Sequence, residues 1–199
     1  MSADPFDQRD HTGRQFRDIH RAGATLEGLR FDDCRFEHCD FSEATLRDCR
    51  FRDCEFVGCN FSLARLAGSQ FGARFTDSKL VGIDWTQAHW PAIRLGAGIA
   101  FERCALNDSS FFGLSLRELA LIECRAHDVD FTEADLEDAD FRHSDLRGAI
   151  FRRTRLARAD FRDATDYRID VLINDVKRAK FSLPEAVSLL YGLDIDLTE

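Results

Sequence analysis

Large apolar residues recur at every fifth position along most of this chain, a spacing that serves neither an α-helix, with its 3.6-residue turn, nor a half-buried strand, with its strict alternation. The series Leu26, Phe31, Phe36, Phe41, Leu46, Phe51, Phe56, Phe61, Leu66 and Phe71 resumes as Phe101, Leu106, Phe111, Leu116, Leu121, Ala126, Phe131, Leu136, Phe141, Leu146, Phe151, Leu156 and Phe161. A small slot lies two residues before each large one. It holds Cys34, Cys39, Ala44, Cys49, Cys54, Cys59, Ala64 and Ser69, and later Ala134, Ala139, Ser144, Ala149, Thr154 and Ala159. All seven cysteines, Cys104 and Cys124 included, share this phase, so they mark a structural period rather than a ligand set. Two inward residues per unit describe a chain that runs extended and then turns. Four units closing one square turn place residues twenty apart on the same face at the ~4.8 Å spacing of neighbouring strands, where backbone groups pair from coil to coil. The expected fold is an all-β solenoid, a right-handed quadrilateral β-helix, because persistent repeats stack in one dimension and parallel crossovers wind right-handed.

Within 199 residues this repeat predicts one elongated domain over residues 1–166, irregular at about 71–101, followed by a C-terminal helical module at 167–199. No apolar run approaches the ~20 residues of a membrane span. The polar N-terminus has no signal-peptide core, so a cytoplasmic, reducing compartment is expected, which suits seven free thiols.

The period slips twice. From Phe71 to Phe75 the step is four; it runs at five through Leu80, Trp85, Trp90 and Leu95, and is six at Phe101. The slips cancel in the count, which predicts a coil without inserted loops. Trp85, Trp90 and Pro91 sit inside this stretch. Two large rings in a narrow tube, with a proline that removes a ladder donor, predict a kink, either a tolerated irregularity or a functional bend. Near the C-terminus, Ser182 and Glu185 read as a capping box, with Pro184 in the first turn and Gly192 as a stop, predicting a helix from about Leu183 to Tyr191. Its apolar residues are too many for one stripe. Leu183, Val187, Leu190, Tyr191, Leu193 and Ile195 either cap the last coil or join two copies in a two-fold contact.

The sequence holds no C-x-x-C pair, H-E-x-x-H, phosphate-cradling glycine loop or nucleophile elbow, and its six histidines are scattered over different repeat phases. No enzyme, cofactor or metal site is expected. Charge is the remaining signal. The formal net charge is −9, and Asp128, Asp130, Glu133, Asp135, Glu137, Asp138 and Asp140 follow one another with no Lys or Arg among them. These carboxylates take outward phases and form a belt that spans about 5 Å along the axis. It is either an ordinary solvated face or, lacking local compensation, a surface for a basic partner. Doubling −9 over a dimer roughly 70–90 Å long gives one charge per ~4–5 Å, against one per ~1.7 Å on duplex DNA. Uniform DNA mimicry fails on that comparison, whereas a central acidic belt survives it.

Runs such as CDFSEATLRDCRFRDCEFVGCNFSLARL and ADLEDADFRHSDLRGAIF resemble the pentapeptide-repeat proteins, whose repeat reads A-(D/N)-(L/F)-x-x, over about residues 26–166. The stretches VGIDWTQAHWPAIRLGAGIAFERCALNDSSFFGLSL and FSLPEAVSLLYGLDIDL further resemble the members of that family that guard type II topoisomerases from poisons, the albicidin-immunity (AlbG-type), Qnr and MfpA proteins. That resemblance implies a homodimer joined through its C-termini that occupies the DNA-gate saddle of DNA gyrase and disfavours the drug-trapped cleavage complex. Self-immunity or antibiotic resistance by DNA mimicry would result, with no direct nucleic-acid or membrane binding. The long loops of many Qnr proteins are missing from the count, which favours an albicidin-like poison over a fluoroquinolone. The alternative is a structural or adaptor protein of the same family with an unrelated protein partner.

Overall fold

In the computed structural model, which describes residues 5–90, 98–193 and 195, the chain winds as a stack of parallel coils. The largest sheet runs in the order Asp10–Thr12, Arg30–Asp32, Arg50–Val57, Gln70–Thr76, Ile99–Glu102 and Ala120–Ile122, with Gln15–Arg17 and Arg35–Glu37 paired alongside. Thr25–Glu27 pairs with Thr45–Arg47, and Asp160–Phe161 with Lys180–Phe181. The register sets Phe31 beside Phe51, Phe36 beside Phe56 and Leu26 beside Leu46, so the step of twenty residues per coil expected from the period is the step the chain takes. Later coils are joined by single parallel bridges such as Ser110 to Asp130 and Asp135 to Arg155.

The period turns into packing because a residue on one coil meets its own kind on the next. Phe36 stacks on Phe56 at 4.6 Å, Phe56 on Phe75 at 4.8 Å and Phe131 on Phe151 at 5.1 Å, while rings from adjacent faces meet edge-on, as Phe51 meets Phe56 at 5.4 Å. Each buried ring contributes about 1.5–3 kcal/mol over an exposed one, and these geometries add ~0.5–1.5 kcal/mol per pair. The small slots do more than leave room. Ser144 Oγ donates to Leu121 O at 2.8 Å and accepts from Cys124 N at 2.9 Å, satisfying backbone groups inside the tube. Thr154 and Ser69 bond in the same way, to Phe131 O and Leu46 O. The seven cysteines are free and buried, and burial pushes the Cys54 thiol up to about 12.

One expectation fails at the irregular stretch. Phe56 pairs with Phe75, one residue short of a coil, across an irregularity between Arg52 and Cys54. Phe75 then pairs with Phe101, and Asp84 with Ser110, each 26 residues on, before Phe101 and Leu121 restore the step of twenty. The coil after Phe75 therefore holds six residues beyond the usual twenty, and is not free of insertion. Counting by fives could not show this, because a shortened and a lengthened step that together add one whole unit leave the slot phase unchanged. Only the face occupied by each slot is altered. Trp85 enters the tube at 1% exposure and stacks on Phe111 at 5.7 Å, from a 3-10 turn Trp85–Gln87 whose preceding Asp84 carboxylate accepts from Thr86 N at 3.0 Å. Trp90 stays half-buried and donates from Nε1 to Trp85 O at 2.8 Å, so one indole of the two fills the tube. Pro91 and Leu95 lie outside the described residues.

Both ends are closed by the chain itself. Phe6 lies on Phe16 and Phe31, and His11 takes a large slot, stacked on Phe31 at 4.9 Å. Arg14 Nη1 is 3.0 Å from His11 Nδ1; a guanidinium only donates, so Nδ1 accepts and the protonated Nε2 is buried without a partner. At the other end the coils continue past residue 166: Tyr167 and Ile169 are buried, and Phe181 stacks on Phe161 at 5.1 Å. A 3-10 helix, Glu185–Leu193, stands where an α-helix from Leu183 was expected, and the Leu183–Pro184 peptide is cis. Ser182 and Glu185 do cap, but not their own helix. Ser182 Oγ accepts from Asp163 N at 2.7 Å and Glu185 Oε1 from Asp166 N at 2.8 Å, closing the open edge of the coil beneath. Among the described residues no helix is long and apolar enough to cross a membrane.

Two outcomes follow for stability. Ser144→Leu should lower the unfolding free energy by roughly 1–3 kcal/mol through overpacking, whereas Ser144→Cys, the residue used in sister slots, should cost less than ~1.5 kcal/mol, both read by urea denaturation. Burial, and then Arg14, hold His11 below its usual 6.5. A histidine kept neutral in the fold contributes stability that is complete above its unfolded value and is lost as pH falls below it. Wild type should therefore lose more stability than His11→Phe between pH 7.5 and 5.5.

Candidate functional site: the charged coils and the apolar end

The seven carboxylates picked out from the sequence do lie on one coil, but they run around it rather than across a single face. Asp130 is bridged to Ile150, Asp135 to Arg155 and Asp140 to Asp160, which are three different columns of the solenoid. Their supposed lack of compensation is not what the structure shows. Glu133 pairs with Arg153, Asp135 with Arg155 at 3.4 Å, Asp138 with Arg158 at 2.7 Å and Asp140 with Arg142 at 2.7 Å. Glu137 is only 8% exposed, with Arg117 at 2.6 Å, Arg155 at 3.4 Å and Arg158 also in contact. Apart from Arg142, which falls just past the run, the arginines were invisible to a count along thirteen residues because they sit one coil away. A search at plus and minus twenty would have paired Arg117 with Glu137, Glu133 with Arg153 and Asp138 with Arg158.

The charge is layered along the axis. Residues 102–140 hold eleven carboxylates and three arginines, and residues 141–180 hold eleven Lys or Arg and six carboxylates, so an acidic layer meets a basic one at the level of the belt. The side-chain bond from Arg158 holds the Asp138 carboxyl below its ordinary range, and that from Arg162 brings Asp160 down to about 2. A depressed carboxyl contributes stability above its unfolded value that is lost as pH falls through the folded one. The ties of Asp138 and Asp160 thus persist at neutral pH and are lost in acid, for Asp160 from about 3.8 down to about 2.

Two belt members stand outside it. Asp130 accepts only from Thr132 N, at 2.9 Å, and pairs with no cation among the described residues. Asp128 lies along the next corner, its carboxylate oxygen 2.1 Å from where a Cβ on Gly148 would be. Gly148, at φ +72°, is the residue that lets the carboxylate lie there. Asp108 occupies the corner one coil before Asp128 and is likewise unpaired, leaving an open acidic corner beside the compensated belt.

The second surface is apolar. Ten large hydrophobic side chains are exposed among the described residues, and eight of them lie at or beyond Ile150. Leu183, Tyr191, Val187, Leu193 and Ile195 are on the cap and its tail, with Leu183 at 80% and Tyr191 at 73%; Leu190 is half-buried. Leu172 and Ile173 are exposed as well. The cap thus seals the tube with Leu189 while turning apolar residues outward. Among the described residues no three His, Cys, Asp or Glu are grouped to hold a metal.

Because Glu137 is shielded and bonded to several guanidinium groups, Glu137→Gln should destabilise the fold by about 1–3 kcal/mol. Glu133→Gln, in a pair open to solvent, should cost less than ~1 kcal/mol in the same urea titration.

Comparison with known proteins follows the geometry. HetL, a pentapeptide repeat protein involved in heterocyst differentiation regulation from the cyanobacterium Nostoc sp. strain PCC 7120, superposes with a TM-score of 0.61 at 20% identity, over 87% of each chain. Two trypsin-treated forms of QnrB1, a plasmid-mediated fluoroquinolone resistance protein, superpose with TM-scores of 0.53 at 18% identity, over 95% of this chain and 100% and 97% of theirs. At these identities the likeness is one of fold. No curated protein matches the sequence. The family described as "Pentapeptide repeat region" matches residues 29–98 and 96–161, most of the solenoid, and the chain belongs to the pentapeptide repeat family.

Proposed function

We propose that this protein binds DNA gyrase, a type II topoisomerase, as a homodimer joined through its C-termini, and shields the enzyme from a poison by competing for the DNA site. The observation that carries this reading is the apolar end. A rod whose cap seals the tube yet still exposes Leu183, Val187, Tyr191, Leu193 and Ile195 has a face suited to a second copy. Two rods joined there make an elongated acidic body of roughly 70–90 Å, the reach of a bound DNA segment. The fold shared with QnrB1, a fluoroquinolone resistance protein, over 95% of this chain supports the same reading. Protection by occupancy needs no turnover, in keeping with a family of repeats that points to no catalytic class. An albicidin-like poison and a fluoroquinolone are the two drug classes to be compared.

The contact with gyrase is assigned to the part of the belt that the fold leaves free. Asp128 and Asp130, with Asp108 on the same corner, offer carboxylates to basic residues of the enzyme, while Glu133, Asp135, Glu137 and Asp138 serve mainly to hold coils together and Asp140 is engaged by Arg142 on its own coil. Reversing Asp135, Glu137 and Asp138 would set lysines against Arg117, Arg155 and Arg158 and damage the fold itself.

A second reading, an adaptor acting on an unrelated protein, is favoured by the higher TM-score of 0.61 to HetL, which is involved in differentiation regulation. Gyrase supercoiling with albicidin or a fluoroquinolone, titrated with this protein, separates the two. Rescue from one poison, with drug recovered intact, and loss of rescue in Asp128→Lys/Asp130→Lys with an unchanged circular dichroism spectrum are expected. Neither rescue nor binding to gyrase would leave the adaptor reading.

A further inference from the structure

Beside the apolar end, a groove of about 590 Å³ runs along the outside of the last coils, lined by Ile150, Arg152, Arg153, Arg168, Asp170 and Ile173. Ile150 and Ile173 are 43% and 49% exposed. Arg153 is engaged by Glu133, and the Asp170 carboxylate accepts from Leu172 N at 2.8 Å. Arg152 and Arg168, by contrast, pair with no carboxylate among the described residues. Two guanidinium groups without counter-ions, set between branched apolar side chains, suit an extended peptide that alternates carboxylates with branched apolar residues.

The chain contains one stretch of that chemistry close by. Residues 193–199 read LDIDLTE, with Leu193, Ile195 and Leu197 alternating with Asp194, Asp196 and Thr198 before Glu199. It begins where Gly192 lies against the Asp170 carboxylate, at the rim of the groove. Arg168 and Asp170 also border the hollow beneath Ser188, Tyr191 and Gly192, so the groove is continuous with the apolar patch assigned above to the dimer. Six extended residues reach at most ~20 Å, ample to cross a joint and span two coils at ~4.8 Å each.

We propose that, in the C-terminally joined dimer, the groove of each copy receives residues 194–199 of the other. The inference rests on the dimer reading and adds its polar half: Asp194 and Asp196 meet Arg152 and Arg168, and Ile195 lies between Ile150 and Ile173. The exchanged stretch fixes the rotation of one rod against the other, which apolar contact alone leaves loosely defined.

Charge exchange tests this with full-length protein by sedimentation equilibrium. Arg152→Glu/Arg168→Glu and Asp194→Lys/Asp196→Lys should each raise the dimer dissociation constant about tenfold or more. Mixing the two variants should restore the wild-type constant, because only in the mixed dimer does every groove face a stretch of opposite charge. A wild-type chain that stays monomeric overturns the dimer reading and this inference with it. A wild-type dimer whose constant is unmoved by either reversal overturns the groove alone. Rescue in a single chain bearing all four changes, without rescue on mixing, would place the stretch in its own groove and overturn the exchange. Should the reversed groove fail to fold, Arg152→Gln/Arg168→Gln replaces it, with a two- to fivefold weakening expected and no change overturning the proposal.

Discussion

The whole molecule depends on one constraint: successive coils hydrogen-bond in parallel, so whatever stands at a position has its counterpart twenty residues on as a neighbour about 4.8 Å away. Inside the tube, side chains that pack well on their own kind at that distance are favoured. Phenylalanine tolerates it well, since offset rings attract, and stacks such as Phe36, Phe56, Phe75 and Phe101 run through the tube as continuous columns. The smaller column holds alanine or groups whose hydroxyl or thiol bonds to a passing carbonyl, as Ser144 bonds to Leu121 O. Where the slot holds Ser, Thr or Cys, hydrophobic burial and backbone satisfaction are met within the same unit.

The same constraint governs charge. Like charges stacked at this distance repel, and several columns answer by alternation, Asp10 with Arg30, Asp32 with Arg52, Arg35 with Glu55, Glu133 with Arg153 and Asp138 with Arg158, although Arg30 also lies beside Arg50 and Asp140 beside Asp160. Each such exposed pair is worth little by itself, yet together they set which carboxylates are committed to the fold. Net charge is thus a poor guide to a binding surface in a solenoid. What counts is which residues are left over when the columns are paired; among them are Asp108, Asp128 and Asp130 on one side and Arg152 and Arg168 on another.

Legibility in the sequence followed the same geometry. The five-residue count gave the solenoid, its step of twenty and its core because those depend only on phase. It could not register the insertion between Phe75 and Phe101, which preserves phase, nor His11, a ring of the wrong polarity in a large slot. The belt was legible as seven carboxylates but not as a paired girdle, since Arg117, Arg155 and Arg158 are neighbours of Glu137 in space and distant in the chain. Ser182 and Glu185 carried the chemistry of a cap, and only the coil beneath decided which amide hydrogens they would serve.

The enlarged coil also has a mechanical side. Between Phe75 and Phe101 the layers are joined by strand pairing on one face and by single bridges, Lys79 to Ala105 and Asp84 to Ser110, on two others. The fourth face of this joint falls outside the described residues. The layers above Ile122 meet mainly through single bridges, such as Ala120 to Asp140, Arg125 to Asp145 and Asp135 to Arg155. Tension along the rod therefore crosses the enlarged coil through more strand pairing than those layers offer, so six added residues lengthen one layer without making its joint the weakest link.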